Sequence, residues 1–348
     1  MLNNHAKSRI KWLFSSLLIA VMSCICFLML LELTLRLGLI HNTRYDQLKC
    51  TGELSKPRHK ILVIGDSYAR WLKSSLDKEL MPFDVILRCI GLVGNGPFGY
   101  AMEMKTQEAA FRPDITIVTY FTGNDLTNTQ DSRWNKPNLK TRIAKTVYPF
   151  LRELYTYYFI KEKTNILFPK VFNYEKFLAS GMDEAVISLI KKGHANAWLL
   201  EASLKNKNYF FDNILMDSKG NTMTWEKIKQ LLSEIKERCD KIKSEFVIII
   251  FPSTVQVNRS QYGFYKKLKF NIDDRLLSSN KPQKLLKEFC AEKNIPCLDL
   301  LTYFKVADKE LYRANDDHLN EAGNRLSARI IIDFLLKTTH LKESAPPS

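Results

Sequence analysis

Between residues 60 and 338 short apolar runs alternate with longer amphipathic stretches. That alternation predicts an α/β fold: three α/β/α layers about a central, mostly parallel five-stranded sheet, with a helical insertion and an N-terminal transmembrane helix. Two further observations support it. The chain has 348 residues and is 45% hydrophobic, enough for a core of ordinary globular size. Near its start, residues 12–31 (WLFSSLLIAVMSCICFLMLL) form a run of twenty positions without a charge, the length a helix needs to cross a bilayer.

Residues 1–11 concentrate Lys7, Arg9 and Lys11, whereas Glu32, Arg36 and Arg44 beyond the span nearly balance. The positive-inside rule then keeps residues 1–11 cytoplasmic and sends the rest to the periplasmic or extracellular side. The anchor is taken as 12–35. A cleaved signal peptide is disfavoured, because the apolar run outlasts an ordinary h-region and no small-x-small site closes it. Val21-Met22-Ser23-Cys24 resembles a lipoprotein cleavage site, yet the run continues well past Cys24. Residues 36–59 are polar, lack periodicity and read as a linker.

The folded domain is placed at 60–338, with strands expected at 60–64, 84–89, 114–121, 245–251 and, less strongly marked, 297–300. Helices are expected at 70–79, 100–111, 223–242, 283–293 and 320–337. From about 129 to 222 strand-like text gives way to Lys-rich, aromatic-rich helical sequence, a helical insertion. Its rings, Tyr148, Phe150, Tyr155, Tyr157, Tyr158 and Phe159, suit either the insertion's own core or an interfacial surface or lid. Residues 339–348 read as a disordered tail.

The formal charge is +15 and remains +12 without residues 1–40, so the excess lies on the exported domain. Such a field favours anionic partners, phospholipid headgroups or an acidic glycan, unless the lysines are merely solvated. Nucleic acid is not expected on that side of a membrane. Cys24 and Cys26 lie in the span, and Cys50, Cys89, Cys239, Cys290 and Cys297 make no CxxC pair or metal-ligand spacing. No metal or cofactor is expected. Cys290 and Cys297 pair only if the backbone brings them together.

Four segments are expected to line up at the C-terminal ends of the predicted strands, where chemistry gathers in such sheets. They are Gly65-Asp66-Ser67, the loop from Gly91 through Gly94 to Pro97, Thr122-Gly123-Asn124-Asp125, and Asp316-Asp317-His318 ahead of the last helix. Each alone is also ordinary turn and cap chemistry. In this order they supply a hydroxyl, a glycine loop, an amide donor and a histidine beside carboxylates, which are the parts acyl transfer requires.

On these blocks the chain resembles the SGNH hydrolases, the GDSL esterase and lipase superfamily, over roughly residues 60–335 apart from the insertion. Residues 251–257 (FPSTVQV) also look like a strand end common in membrane-anchored bacterial members. The resemblance implies a flavodoxin-like sheet, Ser67 as nucleophile, His318 as base, and an oxyanion hole from Ser67, Gly94 and Asn124. Two departures stand out: Gly123 abuts Asn124 without the usual intervening residue, and Asn315 occupies the family's acid position three residues before the histidine. Asp316 is therefore taken as the acid, ahead of Asp317, whose side chain would diverge from its neighbour's on an extended segment. Asp66 and Asp125 are read as loop and cap residues.

The resemblance implies a membrane-anchored serine esterase acting through an acyl-enzyme on an acylated glycan or lipid. The same triad serves an O-acyltransferase, for example one acetylating a cell-surface polysaccharide beside a membrane-embedded acyl donor protein. A catalytically silent module binding a glycan or a protein is the alternative of another class.

Overall fold

The computed structural model describes residues 4–37, 39–40, 59–131, 143, 147, 151, 154–167 and 174–342, and the chain divides into two compact units. The smaller holds residues 1–49 and 150–170. Its N-terminal helix, Asn4–Arg36, contains the segment Trp12–Arg36, 25 residues long with mean hydropathy 2.6. Among the described residues it is the one helix long and apolar enough to cross a membrane. Trp12, Phe14, Phe27 and Met29 on it are exposed, as a lipid-facing surface requires.

A second helix of this unit, Tyr155–Leu167, starts on Glu32 near the end of that segment. The Glu32 carboxylate accepts from the backbone N–H groups of Tyr155 (3.1 Å) and Thr156 (2.8 Å) and from the Thr156 hydroxyl (2.8 Å). It thereby satisfies donors that a helix start leaves unpaired. Arg36 pairs with the same carboxylate at 2.7 Å and lies over the Tyr155 ring. Tyr155, Tyr157, Tyr158 and Phe159 are half-buried on this helix, where Thr156 alone is fully buried. Tyr148 and Phe150 fall outside the described residues.

The larger unit is built on a five-stranded, wholly parallel sheet: β1 (His59–Gly65), β2 (Val85–Gly91), β3 (Ile115–Phe121), β4 (Glu245–Phe251) and β5 (Cys297–Asp299). The strands lie in the order 2-1-3-4-5. Every residue of β3 is buried, Thr116 and Thr119 included, so its apolar residues do not alternate strictly with polar ones. One face, carrying Ile61, Val63, Ile117 and Val247, packs with the helices Ser67–Glu79 and Glu321–Thr338 into a single core. The helices Pro97–Ala110 and Lys219–Ile242 pack on each other and against β1 and β4.

Because β2 lies on one side of β1 and β3 on the other, the connections diverge between β1 and β3. The crevice above that divergence is where sheets of this order bind ligands. Gly65 marks how closely the two strands approach: a Cβ there would lie 1.8 Å from Thr119 Oγ1, so no larger residue fits.

Helical text from 174 onward forms four short helices, Tyr174–Ala179, Glu184–Lys191, Ala197–Lys205 and Tyr209–Ile214. With residues of 255–276 they make a second apolar cluster. The C-terminal tail differs from expectation at its start. Leu341 is 2% exposed within the main core, and His340 donates its backbone N–H to Glu245 at 2.9 Å, so the chain stays packed to there. Cys290 and Cys297 are free thiols, and Cys50 lies outside the described residues.

Candidate active site

Ser67 is the first residue of the helix that follows β1, two positions past the strand's last residue. Asp66, the helix N-cap, accepts from the Tyr68 N–H at 2.9 Å and so fixes the turn that presents the serine. At helix position N1 the Ser67 N–H has no intrahelical partner and points out of the helix end.

His318 reaches the serine from a loop 251 residues away: its Nε2 lies 2.8 Å from Ser67 Oγ, and its Nδ1 lies 2.8 Å from Asp316 Oδ1. Asp317 Oδ1 is 3.5 Å from the same Nδ1. Asp316 is therefore the hydrogen-bonded acid, but Asp317 does not turn away as an extended segment would require. The loop bends here, with Asn315 in the left-handed region at φ 55°, so both carboxylates stay beside the imidazole.

Tertiary hydrogen bonds hold this loop on several sides. Arg313 donates its N–H to the His318 carbonyl at 2.9 Å, and Gln261 accepts from the Asp316 N–H at 3.1 Å while donating to the Arg313 carbonyl at 2.8 Å. The Tyr68 hydroxyl donates to the Asp317 carbonyl, and its ring stacks on Phe121 with centroids 4.2 Å apart. Asn196 completes the clamp. Its Nδ2 donates to Asp316 Oδ1 and Asp317 Oδ1, both at 3.0 Å, and its backbone N–H to the Asn315 carbonyl at 3.0 Å. Its Oδ1 meanwhile caps the helix Ala197–Lys205 by accepting from Trp198 at 3.1 Å.

The electrostatics follow from this crowding. Burial opposes ionisation of Asp316, yet the His318 hydrogen bond and charge hold it below the usual carboxylate range. Burial, with Asp316 adjacent, pushes Asp317 up. Burial also works against a charged imidazole at His318. The Asp316 hydrogen bond and the charges of Asp317, Asp316 and Asp66 outweigh it and raise His318 to about 9.

Gly94 has φ 69°, a conformation that favours glycine, and a Cβ there would meet no atom within 4 Å, so the loop borders open space. Glycine is thus favoured there by backbone conformation. Asn124 sits at the N-cap position of the helix Asp125–Gln130, but its side chain makes no cap bond. Instead Nδ2 donates to Asp66 Oδ2 at 3.0 Å, leaving its second N–H available, while Oδ1 is buried without a partner.

Asp66 therefore does more than cap: burial raises its pKa, and the bonds from Tyr68 and Asn124 oppose that rise. Asp125, unlike Asp66, is not a cap. It opens its helix and accepts from the Phe121 N–H at 3.0 Å and the Tyr100 hydroxyl at 2.7 Å, with burial raising its pKa well above the carboxylate range. In the FPSTVQV segment, Pro252 accepts from the Tyr312 hydroxyl at 2.7 Å, and Gln256 Oε1 accepts from the Ser253 N–H at 3.2 Å. These are packing roles.

The structure brings Ser67, His318 and Asp316 into one hydrogen-bonded chain, with Asn124 linked to the same turn through Asp66. Asn196 went unnoticed in the sequence because its partners lie 120 residues away. The one local signal is an asparagine placed to cap Ala197-Trp198-Leu199-Leu200.

No protein-family model matches the chain, and no curated protein matches it. Among solved structures it is similar to an acetyl xylan esterase at 12% identity and TM-score 0.40, over 79% of this chain and 98% of that one. The lipase/acylhydrolase from Enterococcus faecalis gives 12% and 0.39, over 83% and 100%. TesA gives 10% and 0.40, over 80% and 99%. The parallel strands ordered 2-1-3-4-5 give a flavodoxin-like arrangement, in which the segments carrying Ser67, Gly94 and Asn124 follow β1, β2 and β3 in turn.

Proposed function

We propose that this chain is a membrane-anchored serine esterase of the SGNH type, working outside the cytoplasm on an acylated glycan or lipid. The observation that carries the reading is the pair of 2.8 Å contacts joining Ser67 Oγ, His318 and Asp316 above the β1/β3 crevice. Neutral His318 takes the Ser67 proton at Nε2 as Oγ attacks the ester carbonyl. Asp316 holds the Nδ1–H tautomer and stabilises the imidazolium that forms. The tetrahedral oxyanion is received by the Ser67 and Gly94 N–H groups and the second Asn124 Nδ2–H, each such donor worth about 3 kcal/mol of barrier. His318 then protonates the departing alkoxide. Water, deprotonated by the same nitrogen, releases the acid and restores Ser67.

Detergent-solubilised full-length protein is expected to hydrolyse an aryl acetate, with Ser67→Ala as its control. A folded wild-type protein no faster than its control would remove the reading.

The same reading gives Asn196 a positioning role. Asn196→Asp keeps a good cap for the following helix but trades the donor between Asp316 and Asp317 for a third carboxylate. The added negative charge strengthens the hold on the His318 proton. At neutral pH kcat/KM should fall roughly tenfold, with the acid limb of the pH profile moving upward, since about one pKa unit is a tenfold change in the neutral base. A variant with an unmoved pH profile would leave Asn196 a helix cap only.

A further inference from the structure

One feature beside the triad is unused by this chemistry. Trp71 lies one helical turn after Ser67, on the same side of that helix, and is 43% exposed. The Arg313 guanidinium lies over its ring, 4.3 Å from the centroid, and Arg70 stands 5.9 Å from it. Arg313 belongs to the His318 loop and is pinned at both ends of its peptide unit, by the His318 carbonyl and by Gln261. The Arg70–Trp71–Arg313 group therefore bridges the nucleophile helix and the loop of the base.

Five other arginines, Arg36, Arg238, Arg259, Arg275 and Arg325, each have a carboxylate within 3.1 Å, whereas among the described residues Arg112 and Arg329 do not. Among the described residues, Arg70 and Arg313 have none. A guanidinium laid flat on an indole keeps its N–H edges free and loses little freedom on binding, which suits it to the planar fork of a carboxylate.

Resting on the esterase reading, we infer that Arg313, stacked on Trp71 and assisted by Arg70, receives an anionic group of the substrate. The ester hydrolysed then belongs to an acidic saccharide, one carrying a carboxylate within about a sugar's reach of the acyl group. The charge of +12 that remains without residues 1–40 would add attraction at longer range.

The test compares kcat/KM of the full-length protein on three esters: an acetylated uronic-acid oligosaccharide, an acetylated neutral oligosaccharide of equal length, and an acetylated sugar phosphate. Wild type is expected to prefer the uronate ester, with KM rising as salt is added. Arg313→Gln should cut the uronate-to-neutral ratio roughly tenfold, the size of one charge-assisted hydrogen bond. Arg313→Lys, which keeps the charge but loses the planar fork, should fall between.

Equal rates on uronate and neutral esters, or a ratio unmoved in Arg313→Gln, would overturn the inference. So would a stronger preference for the phosphate ester, which would assign the group to phosphate instead. Failure to hydrolyse any ester, an aryl acetate included, would instead strike at the esterase reading beneath it.

Discussion

Ser67→Ala should lower aryl acetate turnover by about 10⁴-fold or more while leaving the fold intact. Under the proposed mechanism, removing Oγ deletes the attacking atom, and neither the oxyanion donors nor the base replaces a covalent route. The residue is 6% exposed at the first position of a helix, where alanine is well tolerated, and the deleted hydroxyl bonds only His318. Stability should therefore change by about 1 kcal/mol or less, the scale of one hydrogen bond. Circular dichroism and the thermal midpoint separate loss of chemistry from loss of structure. A variant keeping a tenth of wild-type turnover would mean another group attacks.

The second large effect distinguishes two neighbouring carboxylates. Asp316→Asn should lower kcat by roughly 10³–10⁴-fold, because an amide neither fixes the Nδ1–H tautomer nor stabilises the imidazolium. Asp317→Asn should cost far less, its oxygen lying 3.5 Å from Nδ1 against 2.8 Å for Asp316. Its signature is in the pH profile. His318 is raised to about 9 with both carboxylates contributing, and only the neutral imidazole accepts the serine proton. Wild-type kcat/KM should accordingly climb with pH, with a midpoint above the ordinary histidine range. Asp317→Asn removes one of the charges holding that proton, so its midpoint should move down and its rate at neutral pH should hold or rise. If Asp317→Asn proved the crippling change and Asp316→Asn the mild one, the acid assignment would be reversed.

How much of this was legible depended on the range of the interactions concerned. The sheet announces itself locally: Ile61-Leu62-Val63-Ile64 and Ile115 to Phe121 are buried on both faces, so their text is mainly apolar and their ends fall near turn residues. Ser67, Gly94, Asn124 and His318 are legible for the same reason, as each follows a strand or precedes a helix at a marked boundary. The choice between Asp316 and Asp317 rested on side chains alternating along an extended segment. The left-handed Asn315 bends the chain, and no alternation survives.

Asn196 and Tyr68 were beyond reach. Their value lies in contacts across 121 and 249 residues, and nothing in a neighbouring residue type records them. The packing of the chain end at Leu341 has a similar cause. Leu341 is a single apolar residue in polar text, yet one leucine in the main core is enough to hold the chain down.

The most direct test of the account is the site of covalent capture by a fluorophosphonate, which reacts with a serine only when a base activates it and donors receive the forming oxyanion. Full-length protein treated with the probe, digested and read by mass spectrometry should carry one adduct, on Ser67, and none in His318→Ala. Absence of any adduct on folded wild-type protein, or an adduct on another serine that persists in Ser67→Ala, would contradict it.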